Sequence, residues 1–501
     1  MSAVIKAHCL SDTPPLPRAP TPVAIAEGDG IGPEITAAVC TILEAADAAI
    51  ELTPVTIGES CYRQGVSSGI PEEAWACIRD QRVLLKGPIT TPQGGGYKSI
   101  NVTLRKALGL YANVRPCRSY PGVLTPERPA LDLVIVRENE EDTYAGIEHR
   151  QTAEVTQCLK LISRPACARI ARYAFELARL QGRRRVTCMT KDNIMKLTDG
   201  LFHQVFDEVA RDYPDIEAEH LIIDIGMALL ADQPERFDVV LAPNLYGDIA
   251  SDVASQMTGS VGLGSSANIG DGCAMFEAVH GSAPAIAGRD LANPSGMLLA
   301  ACEMLRYLGD RDTAAMIQDA WLATLEDGLH TADLHRPGVS REKVGTQAFA
   351  RHLCNNLGRR PTSLHCGAGA AALPRPDASW QRHAHKPVKA LEGVDVFVDF
   401  DENARDADAL ARRLEAAAEG LALALRLITN RGVKVWPNGL PETSCTDHWR
   451  CRFRARPGHT PDSKAVVDLL RRLDEAGLDF VKTEHLYSFD GEPGFSMGQG
   501  E

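Results

Sequence analysis

Several absences narrow what this chain of 501 residues can be. No apolar run approaches the roughly 18 residues needed to cross a bilayer, so no membrane partner is expected. There is no excess of basic residues; the net charge is −13, which argues against a nucleic-acid partner, because phosphate neutralisation needs a basic surface. Fourteen cysteines are present without a CxxC pair or a regular spacing, so a disulfide scaffold is excluded and reduced thiols in a cytosol fit best. Cys445, His448 and Cys451 lack the fourth ligand that a structural metal site requires. The first twenty residues are rich in proline and have no apolar h-region, which excludes a secretory leader and predicts a disordered lead-in over 1–21. Aromatic residues are scarce at 5%, yet apolar residues reach 44%, enough for a sizeable core. A soluble, cytoplasmic chain of two or three domains is expected.

One further absence concerns a motif. VAIAEGDGIGPEI (23–35) reads as a buried strand, a glycine-rich turn and a helix start, with Pro33 suited to a first helical turn. Gly28 and Gly30 match the first two glycines of a dinucleotide fingerprint, but Pro33 stands where the third should be, so the match fails.

What is present centres on residues 86–115, KGPITTPQGGGYKSINVTLRKALGLYANVR. Gly94 to Gly96 give the backbone freedom to turn tightly beside a ligand. A short helical pattern follows Ser99, placing Asn101 and Arg105 on one face; the N-terminus of such a helix favours an anion. Arg115 ends the next apolar run and Arg137 ends the strand-like LDLVIV. Each arginine alone reads as a surface charge. Beside a glycine loop they suggest a pocket for a small polyanion, since the guanidinium fork suits carboxylates. In VTCMTKDNIMKLTDGLF (186–202), Lys191 and Asn193 fall at a strand-to-helix turn, where active-site groups of α/β folds collect; Asp224 directly follows an apolar run. In FDVVLAPNLYGDIASDVASQMTG (237–259), Asp248 and Asp252 are four apart on a helix expected to begin after Gly247. On spacing alone the two carboxylates read equally as acids matching a helix dipole or as oxygen ligands for a hard cation such as Mg²⁺ or Mn²⁺.

Taken together, these strings resemble the isocitrate/isopropylmalate family of metal-dependent β-decarboxylating dehydrogenases, from about residue 22 to the end of the chain. The GDGIGPE turn, the serine and asparagine ahead of the helix arginine, NLYGDxxSD and HGSAP carry the resemblance. It implies an α/β fold that is not a Rossmann fold, with a large domain (22–110 and 259–357), a small domain (111–258) and a clasp at about 142–163 through which two subunits interlock, hence at least a homodimer with shared active sites. It further implies that Ser99, Asn101, Arg105, Arg115 and Arg137 hold the carboxylates of isocitrate and that Asp224, Asp248 and Asp252 bind Mg²⁺ or Mn²⁺. Lys191, supplied with Asp224 by the neighbouring subunit, would assist removal of the hydroxyl proton. Tyr144 in EDTYAG would protonate carbon after CO₂ leaves. The expected reaction is oxidative decarboxylation of isocitrate to 2-oxoglutarate. A divalent cation would stabilise the negative charge that loss of CO₂ leaves.

For the nicotinamide cofactor the resemblance implies contacts from Ile89, Thr91, Asn193, Glu277, His280, Gly281, Ser282, Ala283, Ala285, Ile286 and Asn293. NADP-using relatives commonly carry lysine and tyrosine after HGSAP; this chain has Ala285 and Ile286, so NAD is expected, with NADP the alternative if His335 or Arg336 reaches the extra phosphate. The same residues leave room for a homoisocitrate or isopropylmalate substrate, which Ser99 and Asn101 disfavour, and for a non-catalytic regulatory subunit. Residues 358–391, rich in Gly, Ala, Pro and basic residues, read as a linker in which His383 and His385 are solvated. Beyond it, over 392–501, the pattern is strand (394–400), long helix (407–428), strand (433–437), strand, helix, strand: a ferredoxin-like order that similar extra domains show in the Thermus-type subgroup. A structural or an effector-binding role is open for it.

Overall fold

The computed structural model describes residues 19–92, 98–120, 131–364, 373–374 and 386–498. Gly94–Gly96, most of the lead-in and the His383–His385 pair lie outside the described residues.

Apolar runs that alternate with helices build one mixed sheet of ten strands, in the order Ile50–Pro54, Thr21–Ala26, Val83–Lys86, Ala274–Ala278, Ser265–Ile269, Ala112–Arg118, Asp132–Glu138, Val239–Ala242, Arg185–Thr190, Glu217–Ile222. The first four run parallel to one another, as do the last four. The three junctions in the centre are antiparallel. Strand direction thus changes in the middle of the sheet, and the crevice at such a switch is where α/β sheets place ligands. Helices cover both faces. Arg164–Leu180, for example, follows a Ser163 cap and buries ten of its residues, among them Ile170, Phe175 and Leu177. The clasp region contains a short antiparallel pair, Glu148–Arg150 with Thr156–Cys158.

The second sheet belongs to the C-terminal region. Four long strands and two helices (Ala407–Ala417 and Ser463–Glu475) follow the ferredoxin-like order, and the long strands pair antiparallel. Val394, Val396 and Val398 pack with Trp449, Cys451 and Phe453 against Leu410, Leu414 and Leu469 from the helices. Two expectations are corrected here. The helix expected over 407–428 stops at Ala417, and Leu423–Asn430 is a strand between neighbours. Gly420 at φ +74° breaks the helix, and the alternating Leu423, Leu425 and Leu427 suit a pleated strand as well as a helix. Lys389–Leu391, placed in the linker from composition, already belong to the first strand of this sheet. Cys451 faces this core while His448, an odd number of residues away on the same strand, stacks on Phe397 at 5.3 Å on the other face. They are not brought together with Cys445 as a metal site.

No described helix is long and apolar enough to cross a membrane.

Candidate active site

The glycine-rich turn after the first strand is shaped by protein contacts. Gly28 and Gly30 have φ of +77° and +59°, and a β-carbon on Gly30 would lie 2.0 Å from the Ser282 carbonyl oxygen. The turn is locked to two other loops: Asp29 accepts the Thr90 N–H at 2.9 Å, and Ile31 N–H donates to Ser282 O at 2.9 Å. Thr90 and Ser282 hydroxyls meet at 2.8 Å. Three loops distant in sequence therefore form one rim.

Below that rim lies a cleft of about 550 Å³, lined by Ile89, Thr91, Asn101, Arg105, Arg115, Glu277, His280, Gly281 and Ser282 among others. Substrate and cofactor candidates are thus brought into a single cavity. The helix Ile100–Ala107 starts at Ser99, whose hydroxyl accepts the Val102 N–H. Among the described residues Asn101 Oδ1 and His280 Nε2 are buried without a hydrogen-bond partner; unmatched polar atoms in a cleft favour a polar ligand.

Glu277, expected as a cofactor contact, lines the cleft with its carboxylate engaged by protein groups. Only 3% exposed, its carboxylate takes Lys86 Nζ at 2.7 Å, Arg105 Nη2 at 2.8 Å and Asn268 Nδ2 at 3.0 Å. Burial would raise this carboxyl, but Lys86 and Arg105 outweigh it and hold it far below the usual range. Burial in turn depresses the Lys86 ammonium. Lys86 was not singled out in the sequence; a lysine closing the apolar run VLLK just before Gly-Pro is the signal that was available.

A second cluster forms around the helix Asn244–Met257. The helix begins at Asn244, after Pro243, and not after Gly247; Gly247 instead lets the helix approach Arg137, whose Cβ would be 2.7 Å from an added methyl. Arg137 is 1% exposed and donates to Asn244 Oδ1 at 2.9 and 2.7 Å and to Asp248 Oδ1. Arg115 donates to Asp248 Oδ1 at 3.1 Å and to Ser251 Oγ at 2.6 Å. The Tyr144 hydroxyl donates to Asp248 Oδ2, with the Arg137 guanidinium 4.8 Å from its ring centre. Burial raises Asp248, but Arg137 and Arg115 hold it below the ordinary carboxylate range. Asp252, with Arg115 no closer than 3.8 Å, is pushed up by burial. Burial likewise lifts the Tyr144 phenol. Two carboxylates one helical turn apart, with oxygen donors only, fit a hard divalent cation.

Lys191 and Asp224 form a separate pair, Nζ to Oδ1 at 2.6 Å; the lysine hydrogen bond holds the Asp224 carboxyl down. Among the described residues no hydrogen bond or ion pair joins this pair to Asp248 or Asp252. Asn193 is exposed in the turn beside Lys191. Ala283, Ala285 and Ile286 lie at and in the turn Pro284–Ile286. The Asn293 side chain is engaged at both ends, by Ser295 N–H and by Asp333 at 2.9 Å each; this brings the loop that carries His335 and Arg336 next to it.

A family model described as isocitrate/isopropylmalate dehydrogenase matches residues 22–353, and one described as the C-terminal domain of bacterial isocitrate dehydrogenase matches 389–501. An isocitrate dehydrogenase [NADP] of Rickettsia bellii is 49% identical over 482 residues, covering 96% of this chain and 99% of that protein. The isocitrate dehydrogenase [NADP] of Thermus thermophilus is 44% identical over 499 residues, 99% of this chain and 98% of the relative. A crystal structure of a Thermus thermophilus protein superposes with a TM-score of 0.90 at 44% identity, covering 96% of each chain.

Proposed function

This chain belongs to the isocitrate/isopropylmalate dehydrogenase family, and from that premise we propose that it oxidises and decarboxylates isocitrate with NADP as the hydride acceptor and Mg²⁺ or Mn²⁺ as the metal. The observation that carries the reading is the convergence of Arg105, Arg115 and Arg137, all buried, at the junction of the cleft and the Asp248 helix. Arg105 and Arg115 line the cleft and Arg137 shares Asp248 with Arg115, and buried guanidinium groups so close together call for a ligand with several carboxylates. The sequence alone favoured NAD, because Ala285 and Ile286 offer no grip for a 2′-phosphate; the names of the relatives favour NADP. His335 and Arg336 are the side chains proposed to supply that grip.

Arg115 and Arg137 both donate to Asp248, while Arg105 pairs with Glu277. Substrate carboxylates would draw Arg115 and Arg137 away and leave Asp248 and Asp252 free to hold the cation, which when bound polarises the substrate's oxygens and stabilises developing negative charge. Lys191, as the neutral amine, would take the hydroxyl proton, and Asp224 would orient its Nζ through their 2.6 Å contact. Tyr144, its phenol raised by burial, keeps a proton to give to carbon. The cofactor carries the hydride, and the rim formed by Thr90, Thr91 and Ser282 orients it.

Because Lys191 and Asp224 pair with each other and away from Asp248, we assign them to the site of a second copy. Ile194, Leu197, Ile225 and Ile249 on the same segments are 70, 48, 50 and 51% exposed, an apolar face suited to such a copy. The test is reduction of NADP and NAD side by side by the purified protein with isocitrate and Mg²⁺. NADP should be strongly preferred, and Arg336→Ala should narrow that preference by about tenfold. Reduction of neither cofactor overturns the reading.

A further inference from the structure

Outside the cleft, Asp142 and Asp199 are both fully buried and face the same cation. Lys160 Nζ lies 2.6 Å from Asp199 Oδ1 and 3.5 Å from Asp142 Oδ1, and 4.7 Å from the centre of the Tyr246 ring. Each carboxylate gives its other oxygen to the backbone of a segment that carries chemistry. Asp199 Oδ2 accepts the N–H of Lys191 at 2.7 Å. Asp142 Oδ2 accepts the N–H of Leu245 at 2.9 Å, in the first turn of the helix that presents Asp248 and Asp252. Asp142 also opens the short turn Thr143–Ala145 that holds Tyr144. Its φ of +66° is a conformation most side chains avoid, and its own N–H is fixed to Leu161 O at 2.8 Å.

We propose that Lys160 is a positioning residue that fastens the Lys191 turn, the Tyr144 turn and the Asp248 helix into one unit. Its kinetic consequence rests on the reaction proposed above. The physics is that of two buried anions sharing one counter-ion. An isolated buried carboxylate is strongly unfavourable, and removing the shared cation leaves both without a counter-charge. The anions must then part, hydrate or take up a proton, and any of these moves the N–H groups of Lys191 and Leu245. The ring of Tyr246 adds a cation–π contact that keeps the ammonium between them. Lys160 comes two residues after the clasp strand Thr156–Cys158, so the fastening starts from the element that resembles the family's intersubunit clasp.

The experiment compares wild type with Lys160→Met, Lys160→Arg and the double variant Lys160→Met/Asp199→Asn. In Lys160→Met, hydrogen exchange in peptides covering Lys191 and Leu245 should speed up about tenfold or more, while the C-terminal sheet is unchanged. Turnover should fall about 30-fold or more with the isocitrate KM within about threefold, because the groups displaced act on bond making and breaking. Lys160→Arg should keep most of the turnover, and removing the Asp199 charge in the double variant should recover part of the loss. Unchanged exchange in Lys160→Met overturns the proposal, as does a double variant no better than the single one. If Lys160→Met fails to fold, the same comparison between Lys160→Arg and the double variant decides. If the wild type does not turn over isocitrate, the proposed reaction falls and the exchange data alone judge the tether.

Discussion

At the residue scale, Asp248 is contested by three donors. Arg115, Arg137 and Tyr144 all reach its two oxygens, and hydrogen bonds to a charged group contribute about 1.5–3 kcal/mol each. A ligand that binds there has to bring carboxylates able to compete for the arginines. Lys191→Met and Tyr144→Phe, by contrast, remove the groups proposed to act on protons, so each should lower turnover by about 10² or more while leaving metal affinity, measured by Mn²⁺ titration, nearly unchanged. Normal turnover in either variant removes that residue from its role. Glu138 is a different case. It ends the strand that presents Arg137, is 2% exposed, and is pushed by burial up to about 7, although the N–H groups of Glu140 and Glu141 oppose the shift. Its folded-state value lies above its unfolded one, so the stability it confers is complete below the ordinary carboxylate range and is lost as pH rises through about 7. Calorimetry from pH 5 to 8 should show the wild type losing up to about 3 kcal/mol more than Glu138→Gln; parallel curves would mean that Glu138 stays ionised throughout.

At the scale of elements, the helix Asn244–Met257 is positioned by what Gly247 lacks. A methyl there would meet Arg137 Cβ and Cγ at 2.7 Å, so Gly247→Ala should cost about 1–3 kcal/mol of stability and reduce kcat/KM by about 10- to 100-fold through displacement of Arg137. Unchanged kinetics would show that the arginine tolerates the shift. The string NLYGDIASD announces a helix with two acids on one face, and the structure has it. The first turn of that helix is misplaced by sequence reading because glycine resembles a boundary in one dimension, whereas here it answers to a neighbouring strand. The strand Leu423–Asn430 is hidden for a related reason: an alternating Leu-Ala segment suits both periods, and only pairing with His448–Ala455 on one side and Val433–Trp436 on the other settles it as a strand.

At the scale of the whole molecule, the C-terminal sheet rests on the clasp hairpin. The Thr152 hydroxyl donates to Asp447 Oδ1 at 2.6 Å, Arg405 forks onto Glu154 at 2.7 and 3.0 Å, and Lys482 reaches Gln157 at 3.3 Å. The composite site proposed above, shared by two copies, makes a further prediction. Lys191→Met and Tyr144→Phe subunits, each nearly inactive alone, should after subunit exchange recover about a quarter of wild-type turnover, because half the dimers are hybrids and each hybrid has one intact site. No recovery in demonstrably mixed dimers would place Lys191 and Tyr144 in the same subunit's site.

The sequence by itself determined the strand, turn and helix that follow one another around GDGIGPE, and that Asp248 and Asp252 share one helix face near a set of arginines. Those are matters of local spacing, set by helical and strand periods. Tertiary structure alone decided that Glu277 is bound by Lys86 and Arg105, that Asn293 is spent on Asp333, and that Lys160 lies between two buried aspartates. A buried charge is governed by partners across the fold: Glu277 and Arg105 are 172 residues apart in the chain and 2.8 Å apart in space, and no periodicity records such a pairing.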